Sequence, residues 1–317
     1  MKVSVCITVF NEEKTIGKLL DSLLAQTKKP KEIVIVDAAS SDRTVEIIKH
    51  RQKKNKRIKH LIEPGNVAHG RNTSIEVARY SIIVHTDAGC TASPDWLEKI
   101  VSPFKHKEID VIAGFYSLAA KTPLQKAMNV FHGVPQERFE ATTFFPSARS
   151  FAFRKKVWEE VGGYNEKLEK AGEDTEFIYK ITRRGFRMVK VMEAQVLWNE
   201  PAEFSLKDSL KKFYQYGKGD AQAGLWLHPK KQVAAHNIKI SAVFVRYLLG
   251  LLLLFLSLIK VGFLVFLSFS FLVYLAWSIF KWRDVIKDWK ARAWLPVVQI
   301  SSDVTVMAGF IYGKIVR

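Results

Sequence analysis

Acidic residues recur in this 317-residue chain directly after short apolar runs. Val3-Ser4-Val5-Cys6-Ile7-Thr8-Val9-Phe10 leads into Asn11-Glu12-Glu13, and Glu32-Ile33-Val34-Ile35-Val36 into Asp37-Ala38-Ala39-Ser40-Ser41-Asp42. The run ending at Thr86 leads into Asp87-Ala88-Gly89-Cys90, and a further acidic pair, Glu173-Asp174, follows Gly172. A carboxylate in the second of these places can accept hydrogen bonds from a base or a ribose, and one in the third can hold a divalent cation against a diphosphate. Structural readings stand beside these. Asp37 could start a helix, although Ser41 and Asp42 already supply such residues, and Glu173-Asp174 could be acids of a first helical turn. Two chemistries are excluded: no Gly-x-Gly-x-x-Gly follows the first run and no Gly-Lys-Ser/Thr occurs, so neither a dinucleotide fingerprint nor a P-loop is present. The two cysteines, Cys6 and Cys90, make no disulfide framework and no zinc spacing with histidine.

These acids need elements that bring them to one edge. Val3–Val9, Glu32–Val36, Ile58–Ile62, Ser81–Thr86 and Asp110–Tyr116 read as strands. Glu13–Gln26 carries Ile16, Leu19, Leu20, Leu23 and Leu24 at the helical period. Asp42–Lys54, Arg71–Arg79 and the segment from Pro94-Asp95 to about Phe104 also read as helices, with Pro94 where its missing N–H does no harm. This alternation predicts an α/β domain with a mostly parallel sheet, in which ligands bind beyond the carboxyl ends of the strands. Glu12, Asp37 and Asp87 fall at that edge.

The far end of the chain differs. Residues 261–280 are twenty residues without a charge, enough to cross about 30 Å of hydrocarbon. Residues 240–259 hold one charge, Arg246, and Lys260 and Gly262 mark the junction, so the pair predicts a transmembrane hairpin with a tight turn. Lys230, Lys231 and Lys239 precede it and Lys281, Arg283, Lys287, Lys290 and Arg292 follow it, which puts both flanks on the cytoplasmic side. A third stretch, 294–313, has Asp303 at its centre, where a charge is costly in a bilayer; whether it spans, re-enters or packs on the hairpin stays open. Leu206–Leu227 reads as a basic amphipathic helix, with Leu206, Leu210, Phe213, Tyr214 and Gly217 near one face, suited to a membrane interface. The expected domains are 1–205, an interfacial linker over 206–238 and a membrane region over 239–317.

VSVCITVFNEE at 3–13, VDAASSDRT at 36–44, GRN at 70–72, HTDAGC at 85–90 and GEDTEF at 172–177 resemble, in order and spacing, the family 2 glycosyltransferases of the GT-A fold, over roughly residues 1–220. The resemblance implies transfer of a sugar from a nucleotide-diphospho-sugar with inversion at the anomeric carbon. It implies that Val9, Phe10, Asn11 and Glu12 wrap the nucleoside and that Asp37, with Ser40, reads the base. Arg71 would lie near the diphosphate, beside Asp87 and Ala88; a cation at a helix N-terminus, where Arg71 is read, also asks for an anionic partner. Asp174 matches the general base and Glu173 its neighbour. Asp87 matches the first acid of the family's Asp-x-Asp motif and would hold Mg2+ or Mn2+. The second acid is Gly89 here, and Trp198-Asn199-Glu200 stands where a further histidine ligand is often found. A cation on Asp87 would then rest on one carboxylate, water and the diphosphate, as Mg2+ commonly allows. The other reading is a diphosphate neutralised mostly by Arg71 and lysines. Gly162-Gly163-Tyr164 matches the turn before the acceptor helix, and also reads simply as a helix stop.

Lysine plus arginine number 49 against 31 acids, a net charge of +18, so the surface seeks anions. The run from Lys49 to Lys59 holds seven basic residues with no aromatic interleaved, which reads as a solvated helix end and not a nucleic-acid site. The N-terminus has no secretory signal pattern. The expectation is a multi-pass cell-membrane protein with its catalytic domain in the cytoplasm. Its partners are a nucleotide-diphospho-sugar donor, a lipid-linked or membrane-proximal saccharide acceptor and membrane lipid, without nucleic acid. The alternatives are a synthase acting on a polyprenyl phosphate, where Asp174 would orient more than deprotonate, an anion-binding protein, which the +18 charge and the 49–59 run favour, and an inactive scaffold, which only Gly89 favours.

Overall fold

The computed structural model describes residues 1–142, 144–168, 171–199, 204–226 and 236–316; Glu200, Lys230, Lys231 and part of the expected linker at 206–238 lie outside them. In chain order the elements are β1 (Ser4–Val9), α1 (Ile16–Leu24), β2 (Glu32–Asp37), α2 (Thr44–Lys54), β3 (Ile58–Ile62), α3 (Val67–Glu76), β4 (Ile82–His85), β5 (Cys90–Ala92), α4 (Trp96–Val101), β6 (Val111–Leu118) and α5 (Pro123–His132). They continue with β7 (Phe151–Arg154), α6 (Lys155–Val161), α7 (Glu173–Arg184), β8 (Met188–Trp198), α8 (Leu206–Ala223), α9 (His236–Ser257), α10 (Gly262–Phe280) and α11 (Trp289–Ile315). The described residues form two compact units, one drawn from 1–119 and 139–199, the other from 120–138, 204–226 and 236–316.

The first unit is built on one mixed sheet of order β3-β2-β1-β4-β7-β6-β8-β5. The strands at its β3 end, from β3 through β4, pair in parallel, as βαβ alternation requires. Beyond them β7 runs antiparallel to both β4 and β6. Residues of β1 and β2 alternate between two apolar layers: Val5, Ile7, Ile33 and Ile35 pack with Ile16, Leu19, Leu20 and Leu23 of α1, while Cys6 and Val34 pack with Ile75 of α3 on the other face. Each fully buried side chain of this size contributes about 1.5–3 kcal/mol.

Two helices begin elsewhere than the sequence predicts, for local hydrogen-bonding reasons. The helix expected over Glu13–Gln26 starts at Ile16, because the N–H groups of residues 11–13 donate to Ser40, Thr44 and Asp42 after β2. The helix expected over Arg71–Arg79 spans Val67–Glu76, because the Asn66 side chain accepts the His69 N–H at 2.9 Å and caps it one turn earlier. Arg71 therefore lies inside the helix, not at its exposed start.

The second unit is helical. Segments Asn237–Ser257, Gly262–Phe280 and Trp289–Ile315 are long and apolar enough to cross a membrane. α5, expected within the first domain, belongs here: its Ala127, Met128 and Val130 pack with Leu295 and Val298 of α11. Phe213 and Gly217 of α8 are buried, and α8 opens on a capping box in which Ser205 and Asp208 bond reciprocally. The third apolar stretch forms one continuous helix, and Asp303 is partnered. It accepts Gln299 Nε2 at 2.9 Å, Tyr274 Oη at 2.5 Å and an ion pair from Arg246 at 3.1 Å. The two charges that interrupt the apolar stretches thus neutralise one another. Asp303→Ala strands Arg246 and is expected to destabilise the full chain by about 3 kcal/mol, whereas Arg246→Leu with Asp303→Leu recovers most of the loss. Thermal unfolding in detergent reads this, and an unchanged midpoint in the single variant would refute the pairing.

Candidate active site

The loops after β1 and β2 are tied together by backbone donors. Asn11 N donates to Ser40 Oγ at 2.8 Å, Glu12 N to Thr44 Oγ1 at 2.7 Å, and Ser41 N to Asn11 Oδ1 at 2.9 Å. Asn11 and Ala39 hold positive φ of 54° and 63°, a conformation that costs an alanine strain and marks the loop pair as over-determined. Val9 pairs in register with Asp37, each the last residue of its strand. Asp37 is fully buried, and its Oδ1 accepts the Ser40 N–H at 2.7 Å. Its Oδ2 has no hydrogen-bond partner among the described residues. A buried carboxylate oxygen left unmatched is costly unless a ligand donor completes it. Asp37 is no helix cap, since α2 starts at Thr44, whose N–H goes to Asp42 at 2.9 Å. The Phe10 ring is 59% exposed beside this loop pair.

A second cluster gathers at the end of β4, the strand on the other side of β1. α3 approaches the sheet closely at Gly70, where a Cβ would lie 2.8 Å from Thr8 Cγ2, and the next residue, Arg71, is buried. Its Nη1 donates to Glu173 Oε1 at 2.6 Å and its Nη2 to Asp87 Oδ1 at 3.2 Å. Burial opposes the Arg71 charge, but Glu173 and Asp87 outweigh it and hold the guanidinium above its ordinary pKa. Burial pushes Glu173 up, against the pull of Arg71 and with the push of Asp174. Glu173 and Asp174 therefore differ. Glu173 is buried on Arg71, while Asp174 is half-buried in the first turn of α7, its Oδ1 accepting the Thr175 N–H at 2.7 Å.

Arg149, which no sequence pattern singled out, completes the cluster from just before β7. Its Nε lies 3.8 Å from Asp87 Oδ2, and its guanidinium lies 3.7 Å from the centroid of Trp198 and 4.8 Å from that of Tyr116. Asp87 thus sits between two guanidiniums. Gly89 lies beneath the same tryptophan: a Cβ there would be 3.1 Å from Trp198 Nε1. Among the described residues no group of three His, Cys, Asp or Glu side chains is arranged to hold a metal ion. The Asp87 carboxylate that the resemblance assigns to Mg2+ or Mn2+ already faces Arg71 at 3.2 Å and Arg149 at 3.8 Å, so a cation there would meet two guanidinium charges.

Three nearby groups are removed from the chemistry by burial. The Cys6 and Cys90 thiols are free and buried, and burial pushes both up to about 12, so neither is a nucleophile. His85 is driven down to about 3 by burial and by Arg71, and is neutral. Because its folded pKa lies below its unfolded one, its contribution is present above pH 6.5 and is lost as pH falls toward 3, by about 1.4 kcal/mol per unit. His85→Gln is expected to flatten the fall in melting temperature between those values; an unchanged slope would refute the assignment.

The structure brings Val9, Asn11, Glu12, Asp37 and Ser40 to one pair of tied loops, and Arg71, Asp87 and Glu173 into one ion-paired cluster. Ala88 is buried beside that cluster, and Asp174 stands at its edge. A mixed sheet with helices on both faces and acids at adjacent carboxyl ends is the architecture of GT-A domains, and solved structures share it. PcManGT, a mannosyltransferase from Pyrobaculum calidifontis in complex with GDP-Man and Mn2+, matches at TM-score 0.64 and 17% identity over 96% of this chain and 86% of its own. S. aureus TarS, residues 1–349 in complex with UDP-GlcNAc, matches at TM-score 0.53 and 20% identity over 73% and 68%. The family model for glycosyl transferase family 2 matches residues 4–162, and the chain belongs to that family. It is 28% identical over 241 residues to glycosyltransferase AglE of Haloferax volcanii, covering 71% of this chain and 74% of that protein. It is 24% identical over 232 residues to glycosyltransferase EpsJ of Bacillus subtilis, covering 67% of each.

Proposed function

We propose that this family 2 glycosyltransferase moves a sugar, with inversion, from a nucleotide-diphospho-sugar to a lipid-linked or membrane-proximal saccharide. The base and ribose are taken by the loops after β1 and β2, with Asp37 accepting from the base and Phe10, Asn11, Glu12 and Ser40 around it. The diphosphate lies toward Arg71, Asp87 and Ala88. Asp174 takes the proton of the acceptor hydroxyl as that oxygen attacks the anomeric carbon from the face opposite the diphosphate. One displacement needs no enzyme nucleophile. Glu173 holds Arg71 and does not itself exchange the proton. No step runs through a divalent cation, because the Asp87 carboxylate already lies between two guanidiniums.

The observation that carries this is the unmatched buried oxygen of Asp37 at the strand end next to β1, with the Arg71 cluster at the strand end on the other side. A ligand with a hydrogen-bonding base at one end and a diphosphate at the other answers both. In support, PcManGT and TarS, which share the fold, were solved with nucleotide sugars. The three long apolar helices support multi-pass anchoring, with residues 1–205 as a cytoplasmic catalytic domain and 239–317 in the membrane, next to a lipid-borne acceptor. Nucleotide sugars differing in base and sugar, added to the full chain in detergent, test the assignment. One donor at about 100 times its Kd is expected to add about 2.7 kcal/mol of stability. No shift with any nucleotide sugar would overturn it.

A further inference from the structure

Arg149 is absent from the pattern that points to this family, yet it pairs with Asp87 and stacks on the indole that lies against Gly89. Three observations converge there. Asp87 is ion-paired on one oxygen by Arg71 at 3.2 Å and on the other by Arg149 at 3.8 Å. Position 89 is glycine, with the Trp198 indole above it where a larger residue's side chain would begin. The same indole is the platform on which Arg149 stacks, 3.7 Å from the ring centroid. The stack and the Asp87 ion pair hold Arg149 in place without burying it as deeply as Arg71; its side chain is 16% exposed against 6%. The loop is pinned beneath it by Asn199 Nδ2, which donates to Thr91 Oγ1 at 2.7 Å and to the Gly89 carbonyl at 3.2 Å.

We infer that Arg149 and Arg71 together bind the donor's diphosphate and neutralise it as it leaves, in place of a divalent cation, with Asp87 as the counter-ion that the phosphate oxygens compete with for both guanidiniums. The inference rests on the transferase reading above. In the step, the bond between the anomeric carbon and the β-phosphate oxygen breaks, and its electron pair stays on that oxygen. The acceptor oxygen bonds to the anomeric carbon, and its proton passes to Asp174. The nucleoside diphosphate thereby gains one negative charge. Two guanidiniums, each a planar fork of donors, match the oxygens of a diphosphate bidentately. A dication at Asp87 would instead have to displace or face both of them.

The test uses the full chain in detergent and measures binding of UDP, GDP, ADP, CDP and dTDP by calorimetry, once in EDTA and once with Mn2+. At least one nucleotide is expected to bind with a Kd that differs by less than about threefold between the two conditions; this comparison needs no variant. Arg149→Ala is expected to weaken that nucleotide about 10- to 100-fold, the loss of one charge-assisted pair, and Arg149→Lys by less. Asp87→Asn separates the two models by sign. It removes a competitor for the guanidiniums, so affinity is unchanged or tighter, whereas a metal site would lose its carboxylate and weaken. Binding that EDTA abolishes, or that Asp87→Asn weakens as Arg149→Ala does, overturns the arginine clamp and leaves the transferase reading standing. Binding of no nucleotide in either condition overturns the transferase reading itself. Melting curves of each variant separate lost binding from lost fold.

Discussion

Replacement of Asp174 by asparagine is expected to slow sugar transfer about 10²–10⁴-fold while leaving donor affinity within a factor of about three. The difference between the two members of the acidic pair is the reason. Glu173 is buried and holds Arg71 at 2.6 Å, so it already has a partner for its charge. Asp174 is half-buried and, among the described residues, accepts hydrogen bonds only from Thr175, from its N–H at 2.7 Å and its hydroxyl at 3.3 Å, so its carboxylate has no ion-pair partner of the kind that holds Glu173. Asparagine keeps the size and can still accept from Thr175, so the start of α7 survives, but it cannot take a proton. A rate unchanged in Asp174→Asn would remove the residue from the mechanism and leave it as a first-turn acid of α7. A fall in donor affinity equal to the fall in rate would assign it to binding.

Arg71→Met is expected to destabilise the folded chain by about 3–5 kcal/mol, enough to lower its melting temperature by roughly 10 °C. Methionine fills much of the volume but leaves Glu173 buried without its partner and takes one guanidinium from Asp87. The double variant Arg71→Met with Glu173→Gln is expected to recover a large part of the loss, because a neutral amide costs less to bury than a carboxylate. The sign of the pH dependence follows. Burial raises Glu173 even in the native protein, and removing Arg71 raises it further. An acid whose folded pKa is raised costs stability as pH rises through it, so the Arg71→Met defect is smaller at pH 5 than at pH 8. A defect of equal size at both pH values would show that Glu173 is not the source. The same variant is expected to lose nucleotide affinity, since it removes one of the two cations facing the diphosphate.

Much of this arrangement was legible in the chain because it is local. An apolar run of strand length followed at once by an acid puts that acid at a strand's carboxyl end, whatever the remainder of the fold does. Asp37 and Asp87 follow that rule, Glu12 comes two residues past its run, and the three parallel pairings of β1, β2, β3 and β4 put those ends side by side. The helical period of Ile16, Leu19, Leu20 and Leu23 and the two charge-poor stretches at 240–259 and 261–280 are likewise properties of neighbouring residues.

What depends on residues far apart in the chain was not legible. Capping by Asn66, five residues upstream, puts Arg71 inside the helix, and the sheet edge brings it into a buried pair. Read from the sequence, Arg71 asked for an anion, but nothing local says that Glu173, about a hundred residues away, and Asp87 supply it. Arg149 sits in a segment without periodicity, and only the antiparallel addition of β7 to β4 carries it to Asp87. Asp303 looked costly in isolation because the charge that pays for it, Arg246, lies on another helix. The sequence by itself therefore determined the class of fold, the strand-end acids and the apolar helices, since each is set by contacts within one element. The partners of every buried charge were decided only by tertiary structure, because a buried ion is stable only beside its counter-ion and nothing in local sequence says which element will supply it.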